Sequence, residues 1–503
     1  MRNIAGLLAD AAIRWPAARA LTDTTAGTSF TWSELNSAVE NQARRLLERG
    51  LGTGDRVALR LPTSADFAIA LFAVARAGGV AVPVSPLAPE AELTCLLEHS
   101  GARLVLDREA LRSSAEPGEP VEPSGGDEDI AVLSYTSGTT GPSRGVMLSH
   151  RALLANVEQV GAVPGTLRHG DRVFIAIPLF HVYGLGPGLL HAAAVGATAV
   201  LAERFDVVKA LEVCAAHRVT VIGGVPAMYA EFARMSAEQL GEGLATVRLL
   251  SSGAAPLHPK VLASIREKTG LEIFEGYGLT EAAPVVTSTL VTGYAKPGSV
   301  GRPVPGVELR LVESDGLAEP VPLDPDDLDD AFVEDEAGTG LVSVRGANLF
   351  SGYWPDGAHG PDEDGWFRTG DVGYLDTDGD LHLVDRANDL IIVNGFNVFP
   401  HEVEEVIVAM PEVAEVAVVG MVDERSGESV RAVVVPAQGA SLSEQQVMDH
   451  CAEHLAGYKV PTTIEFAETL PHSPVGKLRR VPPAPLPPPP STEALRARAR
   501  FKP

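Results

Sequence analysis

The chain has 503 residues, of which 45% are hydrophobic and 21% charged, and it carries a formal net charge of −26. That length exceeds what one hydrophobic core supports, so two or more folded domains are expected. A negative field of this size disfavours nucleic acid and anionic lipid as main partners, and Cys95, Cys214 and Cys451 are too few and too scattered for a disulfide framework or a metal site, which fits a reducing cytoplasm.

At the N-terminus the apolar run Ile4–Ala9 is interrupted by Asp10 and Arg14 and is too short for a signal peptide. Arg56–Leu61 reads as a strand, Ala65–Ala77 as a helix and Val80–Val84 as the next strand. The strand signature returns at Ile130–Tyr135, Arg172–Ile177, Val219–Ile222 and Val247–Leu250, with helices such as Val207–His217 between. This alternation predicts an α/β fold with layered parallel sheets. Phe180–Ala202 carries no Asp, Glu, Lys or Arg and is long enough to cross a bilayer. Its glycines cluster where a helix would start and stop, so it reads as a buried helix followed by a buried strand, with no stable membrane insertion.

The character changes near Pro303. Val307–Val312 and Leu341–Val344 read as strands without helices between them, and Leu323–Glu336 is an acidic insert, which predicts a β-rich subdomain. A small α+β unit follows Arg386, with strands Leu390–Val393 and Val416–Val419 and a helix beginning at Pro400–Val408. Domain limits are expected at residues 1–386, 387–480 and 481–503. The last segment opens with seven prolines in Val481–Pro490 and reads as an extended, disordered tail.

Five segments carry candidate chemistry. Tyr135–Gly145 follows a strand and holds three glycines, five Ser/Thr hydroxyls and one cation, Arg144. Such glycines let backbone N–H groups approach a polyphosphate, although the segment lacks a Walker ending and would also serve as a plain linker. Phe274–Glu281 places an aromatic ring, a hydroxyl and a carboxylate within five residues: Tyr277 could stack on a purine, Thr280 bond a phosphate and Glu281 hold Mg²⁺. Gly365–Asp371 sets a carboxylate behind a glycine turn, where it could accept ribose hydroxyls. Asp385–Asp389 with Asn394–Pro400 forms a charged junction leading into a strand and a glycine turn. Pro471–Lys477 is a rigid turn presenting one lysine, a mobile point charge. Taken singly, each also reads as a turn, linker or solvated surface.

In this order the five segments resemble the adenylate-forming superfamily of acyl-CoA synthetases, carrier-protein adenylation domains and luciferases, across roughly residues 5–480. The similarity is greatest to medium- and long-chain fatty acyl-CoA synthetases. The resemblance implies an N-terminal AMP-binding domain, a small mobile C-terminal domain, and the substrates ATP (with Mg²⁺), coenzyme A and a carboxylic acid. It places Thr136, Ser137, Gly138, Thr139, Thr140, Gly141 and Arg144 around the β and γ phosphates. Ser252, Gly253, Ala254, Glu275, Gly276 and Tyr277 then border the adenine, and Asp371 and Arg386 reach the ribose. Thr280 contacts the α-phosphate, Glu281 the metal, and Lys477 bridges the acid and the α-phosphate. His181, Ala282 and Ala283 line the acyl pocket, Gly395 and Phe396 the CoA channel, and Asn388 is the hinge. Ser143 and Arg144 stand where the family usually has proline and lysine, and Asn388 where it usually has Asp or Lys.

His181, Val182 and Tyr183 follow Phe180 where amino-acid-activating relatives place an Asp, so amino acids are disfavoured. Ala282–Val286 and Val225–Tyr229 read as apolar walls, against which a second carboxylate would be costly. A fatty acid is the expected substrate, with aryl acids second. The alternative acceptor is the phosphopantetheine of an acyl carrier protein, but the insertion common in such fatty-acid-loading enzymes is not recognisable here. Joint retention of Glu281, Asp371, Arg386 and Lys477 argues against a non-catalytic binder.

Overall fold

The computed structural model describes residues 3–111, 121–136, 144–312, 339–386, 391–393, 396–423 and 427–472. These form two compact units that divide after Ala387. No described helix is long and apolar enough to cross a membrane.

The large unit contains three sheets. A nine-stranded sheet runs in the order Arg302–Pro303, Val285–Ser288, Ile273–Gly278, Leu249–Ser252, Val221–Gly224, Arg172–Ile175, Thr198–Leu201, Arg19–Asp23, Thr28–Thr31. Its six central strands, from Ile273–Gly278 to Arg19–Asp23, are parallel. A five-stranded sheet runs Leu104–Leu106, Arg56–Leu59, Val80–Pro83, Ile130–Thr136, Arg144–Ser149, with only the last pair antiparallel. Val307–Val312, Gly340–Gly346, Trp366–Leu375 and Leu381–Arg386 form an antiparallel meander, the β-rich subdomain expected from the sequence.

Parallel strands need crossovers, and the local sequence supplies them. Helix Ala65–Arg76 follows its strand directly and is capped by Ser64, whose hydroxyl accepts from the Phe67 N–H. Almost every residue of that helix is buried. Its one buried cation, Arg76, donates to Glu40 at 2.9 Å and Asn36 at 2.7 Å, so the charge is neutralised inside the core.

The charge-free stretch at Phe180–Ala202 becomes a π-helix at Gly184–Leu190, an α-helix at His191–Val195 and a strand at Thr198–Leu201. Gly196 ends the helix at φ +69°, and a Cβ there would lie 2.2 Å from the Trp15 ring, so only glycine fits.

The small unit has strands Phe396–Val398, Ile391–Val393, Gly427–Pro436 and Val413–Asp423 in that order, with Thr463–Phe466 added parallel to Gly427–Pro436. Helices Pro400–Val408 and Glu444–His454 supply Val403, Ile407, Val447 and Cys451 to its core. Buried Glu404 accepts from the Val418 N–H at 2.8 Å and ties the first helix to the sheet.

Candidate active site

In open α/β sheets, ligands bind beyond the carboxyl ends of the parallel strands. Ser252 and Gly224 end two adjacent strands of the nine-stranded sheet, and Tyr277 and Gly278 end a third. Most of the predicted residues that can be described gather at this edge.

The glycine-rich segment is a hairpin connection. Thr136 and Arg144 are the last paired residues of the two antiparallel strands, and Ser137, Gly138, Thr139, Thr140 and Gly141 lie outside the described residues. The loop expected over Thr136–Arg144 is therefore shorter, since its two end residues are paired strand residues. A Cβ on Gly145 would stand 3.0 Å from Leu133 and 3.2 Å from the Trp354 side chain, so this glycine serves close packing rather than approach to an anion.

Thr280, Glu281 and Ala282 form a single 3₁₀ turn, closed by Ala283 in the left-handed region at φ +62°. The loop at residues 347–358 holds this turn: the Phe350 N–H donates to the Glu281 carbonyl at 2.9 Å, and Asn348 Nδ2 to that of Ala282 at 2.8 Å. Tyr353 in the same loop donates its hydroxyl to Glu281 Oε1 at 2.7 Å. Its ring lies beneath the Arg144 guanidinium, 5.4 Å from the ring centroid. Burial, followed by the Glu281 charge, pushes the Tyr353 phenol well above its ordinary value, and Arg144 opposes them. Tyr353 was not singled out from the sequence. Only an aromatic after a glycine marked it, and no spacing linked it to residues 72 positions away.

At the predicted adenine edge, Ser252 and Glu275 are register partners on adjacent parallel strands. Both are buried, and Ser252 Oγ and Glu275 Oε1 have no hydrogen-bond partner among the described residues. Glu275 Oε2 accepts from the Leu257 N–H at 3.2 Å, and burial pushes its carboxyl up to about 7. Exposed Ala254 follows Ser252 and Gly253 at φ +74°, a strained backbone for alanine. Gly276 is tightly packed, 3.0 Å from Thr287 O to a built Cβ.

Tyr277 is only 8% exposed, and its hydroxyl donates to Asp371 Oδ2 at 2.5 Å. Asp371, expected behind a glycine turn, lies inside strand Trp366–Leu375. Gly370 before it takes φ +79° inside the strand, and Asp371 pairs with Arg386 across the ladder. The Arg386 side chain lies outside the described residues.

His181 accepts at Nδ1 from the Tyr183 N–H at 3.2 Å. Its segment packs on the Ala283–Pro284 turn: a Cβ on Gly186 would sit 3.0 Å from Pro284 Cδ. Ala282 and Ala283 are fully covered, and Met228 and Tyr229 are taken up by a core cluster. Tyr183, beside His181, instead lies across the strand ends. Its hydroxyl donates to Gly224 O at 3.3 Å and its ring is 3.4 Å from a Cβ built on Gly253. Lys477, Asn388 and Gly395 lie outside the described residues, as does the Phe396 side chain.

Two other features collect none of these residues. Asp376, Asp378 and Asp380 converge, but Lys296 Nζ sits 2.6, 2.7 and 3.4 Å from them and supplies the cation. A cavity lined by Arg56, Ser124, Asp129, His150 and Trp354 contains no predicted site residue.

The family profile for "AMP-binding enzyme" matches residues 8–354, and that for "AMP-binding enzyme C-terminal domain" matches residues 402–477. The chain is 31% identical over 510 residues to the long-chain-fatty-acid–CoA ligase FadD13 of Mycobacterium tuberculosis, covering 95% of this chain and 97% of that one. It is 36% identical over 476 residues to a feruloyl-CoA synthase of an Amycolatopsis species, covering 90% and 93%. Its fold matches the Bacillus subtilis o-succinylbenzoate CoA synthetase MenE in complex with ATP and magnesium with a TM-score of 0.82, at 29% identity, covering 95% and 98%.

Proposed function

Because this chain belongs to the AMP-binding enzyme family of adenylate-forming acid–thiol ligases, we propose that it activates a fatty acid with ATP and transfers the acyl group to coenzyme A. In the first step a carboxylate oxygen bonds to the α-phosphorus as the bond to pyrophosphate breaks. In the second, the CoA thiolate bonds to the acyl carbon and AMP leaves. The carrying observation is the set of contacts about strand Ile273–Gly278 and the turn after it: Arg144 and Glu281 about Tyr353, Tyr277 on Asp371, and the partnerless Ser252 and Glu275 oxygens.

The first step brings a carboxylate to a polyphosphate, so negative charge must be offset by preorganised groups. Arg144, with the connection from Thr136 to Gly141, is assigned to the β and γ phosphates, and Lys477 to the acid and α-phosphate together. Thr280 bonds the α-phosphate. Glu281 offers a hard carboxylate oxygen, which suits Mg²⁺ held mainly through phosphate oxygens rather than in a full protein cage. Magnesium bound there would supply charge stabilisation at the reacting phosphate. Glu275 Oε1 and Ser252 Oγ, buried without partners, fit an exocyclic amine at the purine edge. Gly253, Ala254 and Gly276 flank it and Tyr277 supplies the ring. Asp371 and Arg386, in register on neighbouring strands, take the ribose hydroxyls.

His181, Ala282 and Ala283 are assigned to the acyl side. The fatty-acid assignment is supported by the apolar side chains of the Ala282–Val286 segment, against which a second carboxylate would be costly, and by the similarity to the long-chain-fatty-acid–CoA ligase FadD13. For thiolysis the small domain is assigned a turn about Asn388 that brings Gly395 and Phe396 to the pantetheine channel. The three free cysteines, one of them exposed, fit a reducing cytoplasm.

Pyrophosphate release, measured with ATP, Mg²⁺ and palmitate, tests the reading. It is expected to turn over only with CoA. Turnover supported by a carrier protein and not by CoA would replace the acceptor, and no acid-dependent release under either condition would refute the ligase assignment.

A further inference from the structure

We propose that Tyr353 is a positioning residue that presents Glu281 to the metal and holds the Arg144 cation beside it. This rests on the preceding assignment of Glu281 to the metal and Arg144 to the phosphates.

The three groups come from three separate segments: the first residue of strand Arg144–Ser149, the Thr280–Ala282 turn, and the loop following strand Gly340–Gly346. The cation rests over the ring face at 5.4 Å from its centroid, and the carboxylate lies at the ring's hydroxyl at 2.7 Å. Tyr353 therefore touches both charges: the cation over its ring and at its phenol oxygen, and the carboxylate at its hydroxyl. The hydroxyl engages Oε1 and leaves Oε2 as the ligand atom. Metal-binding carboxylates are commonly fixed by such a donor behind them.

Tyr353 is itself well held. Its N–H donates to Ala358 O at 3.0 Å, its carbonyl accepts from the Gly357 N–H at 2.8 Å, and its ring packs edge-to-face on Phe350 at 5.0 Å. The loop is strapped to both charged partners' elements. The Trp354 N–H donates to Gly145 O at 2.7 Å and the Ser351 N–H to Met147 O at 2.9 Å, while the Phe350 N–H donates to the Glu281 carbonyl at 2.9 Å. A displacement of the loop would thus be felt at the phosphate hairpin and the metal turn together.

The test uses the full chain and binding rather than turnover. Mn²⁺ affinity of the enzyme–ATP complex is measured by electron paramagnetic resonance, and ATP affinity without metal by calorimetry. Tyr353→Phe keeps the ring beneath Arg144 and removes only the hydroxyl. It is expected to weaken Mn²⁺ by about tenfold and to leave metal-free ATP affinity within about twofold. Tyr353→Leu, which also removes the ring face, is expected to weaken both. If Tyr353→Phe leaves Mn²⁺ affinity unchanged, or lowers both affinities equally, the inference is overturned while the ligase assignment stands. A wild-type enzyme that binds no Mn²⁺–ATP overturns both.

Discussion

The Tyr277 hydroxyl donates a 2.5 Å hydrogen bond to the Asp371 carboxylate across 94 positions of sequence. It joins the strand ending at the candidate adenine edge to the meander strand assigned to the ribose. Tyr277→Phe leaves a carboxylate that is only 8% exposed without this donor. A lost bond of this kind costs about 1–3 kcal/mol. KM for ATP is therefore expected to rise roughly tenfold with kcat changed less than about threefold. Steady-state kinetics with saturating acid and CoA checks this, and a fall in kcat at constant KM would contradict it.

Glu275 gives a pH signature. Its folded-state carboxyl lies near 7 against an ordinary value of 4.5, because burial disfavours its charge. The folded protein holds this proton more tightly than the unfolded chain. Its contribution to stability is therefore complete below about pH 4.5 and is lost as pH rises through about 7. Glu275→Gln removes the ionisation. The variant is expected to gain on wild type between pH 5 and pH 8 by on the order of 3 kcal/mol or less. Urea unfolding at the two pH values measures the difference, and an equal offset at both would show that Glu275 does not titrate in this range.

The roles proposed for Lys477 and Asn388 belong to different steps. Lys477→Ala is expected to slow adenylate formation roughly 10²–10³-fold, as loss of a preorganised charge does, and to spare thioester formation from supplied acyl-adenylate. Asn388→Pro fixes φ at the assigned hinge and is expected to permit one round of adenylation without CoA-dependent consumption. Rapid-quench assays of each half-reaction decide both. Equal loss in both steps for Lys477→Ala, or wild-type consumption of the adenylate by Asn388→Pro, would remove those roles.

Tyr183 lies two residues beyond His181, which is assigned to the acyl side, with its ring over Gly253 and its hydroxyl donating to Gly224 O, and it is proposed to bound the acid's site. Tyr183→Ala should shift preference toward longer or bulkier acids, with kcat/KM for the longest acid rising relative to octanoate. An unchanged ranking across chain lengths would place the acyl end elsewhere.

Much of this was legible in the sequence because apolar periodicity and glycine punctuation are local signals. The α/β layering, the β-rich change after Pro303 and the buried rather than membrane-spanning Phe180–Ala202 stretch all follow from them. Strand limits were less legible. Val219–Ile222 and Val247–Leu250 read as strands, but the ladders run Val221–Gly224 and Leu249–Ser252. The polar and glycine ends that carry the site break the apolar pattern. A glycine turn was expected before Asp371, yet a strand with a φ +79° glycine at Gly370 accommodates both residues. Tyr353 escaped notice, and Tyr183 entered only as a residue standing where an Asp would favour amino acids, because their partners are brought to them only by tertiary packing.

Synthesis of acyl-CoA from a fatty acid is the activity proposed for this enzyme. It is tested most directly by incubating the purified chain with ATP, Mg²⁺, CoA and an equimolar mixture of palmitate, octanoate, ferulate, succinate and phenylalanine, and identifying the thioesters by mass spectrometry. Fatty acyl-CoA is expected to dominate, with feruloyl-CoA second and no thioester of succinate or phenylalanine. Feruloyl-CoA as the main product would contradict the substrate assignment, and no CoA thioester of any acid would contradict the account as a whole.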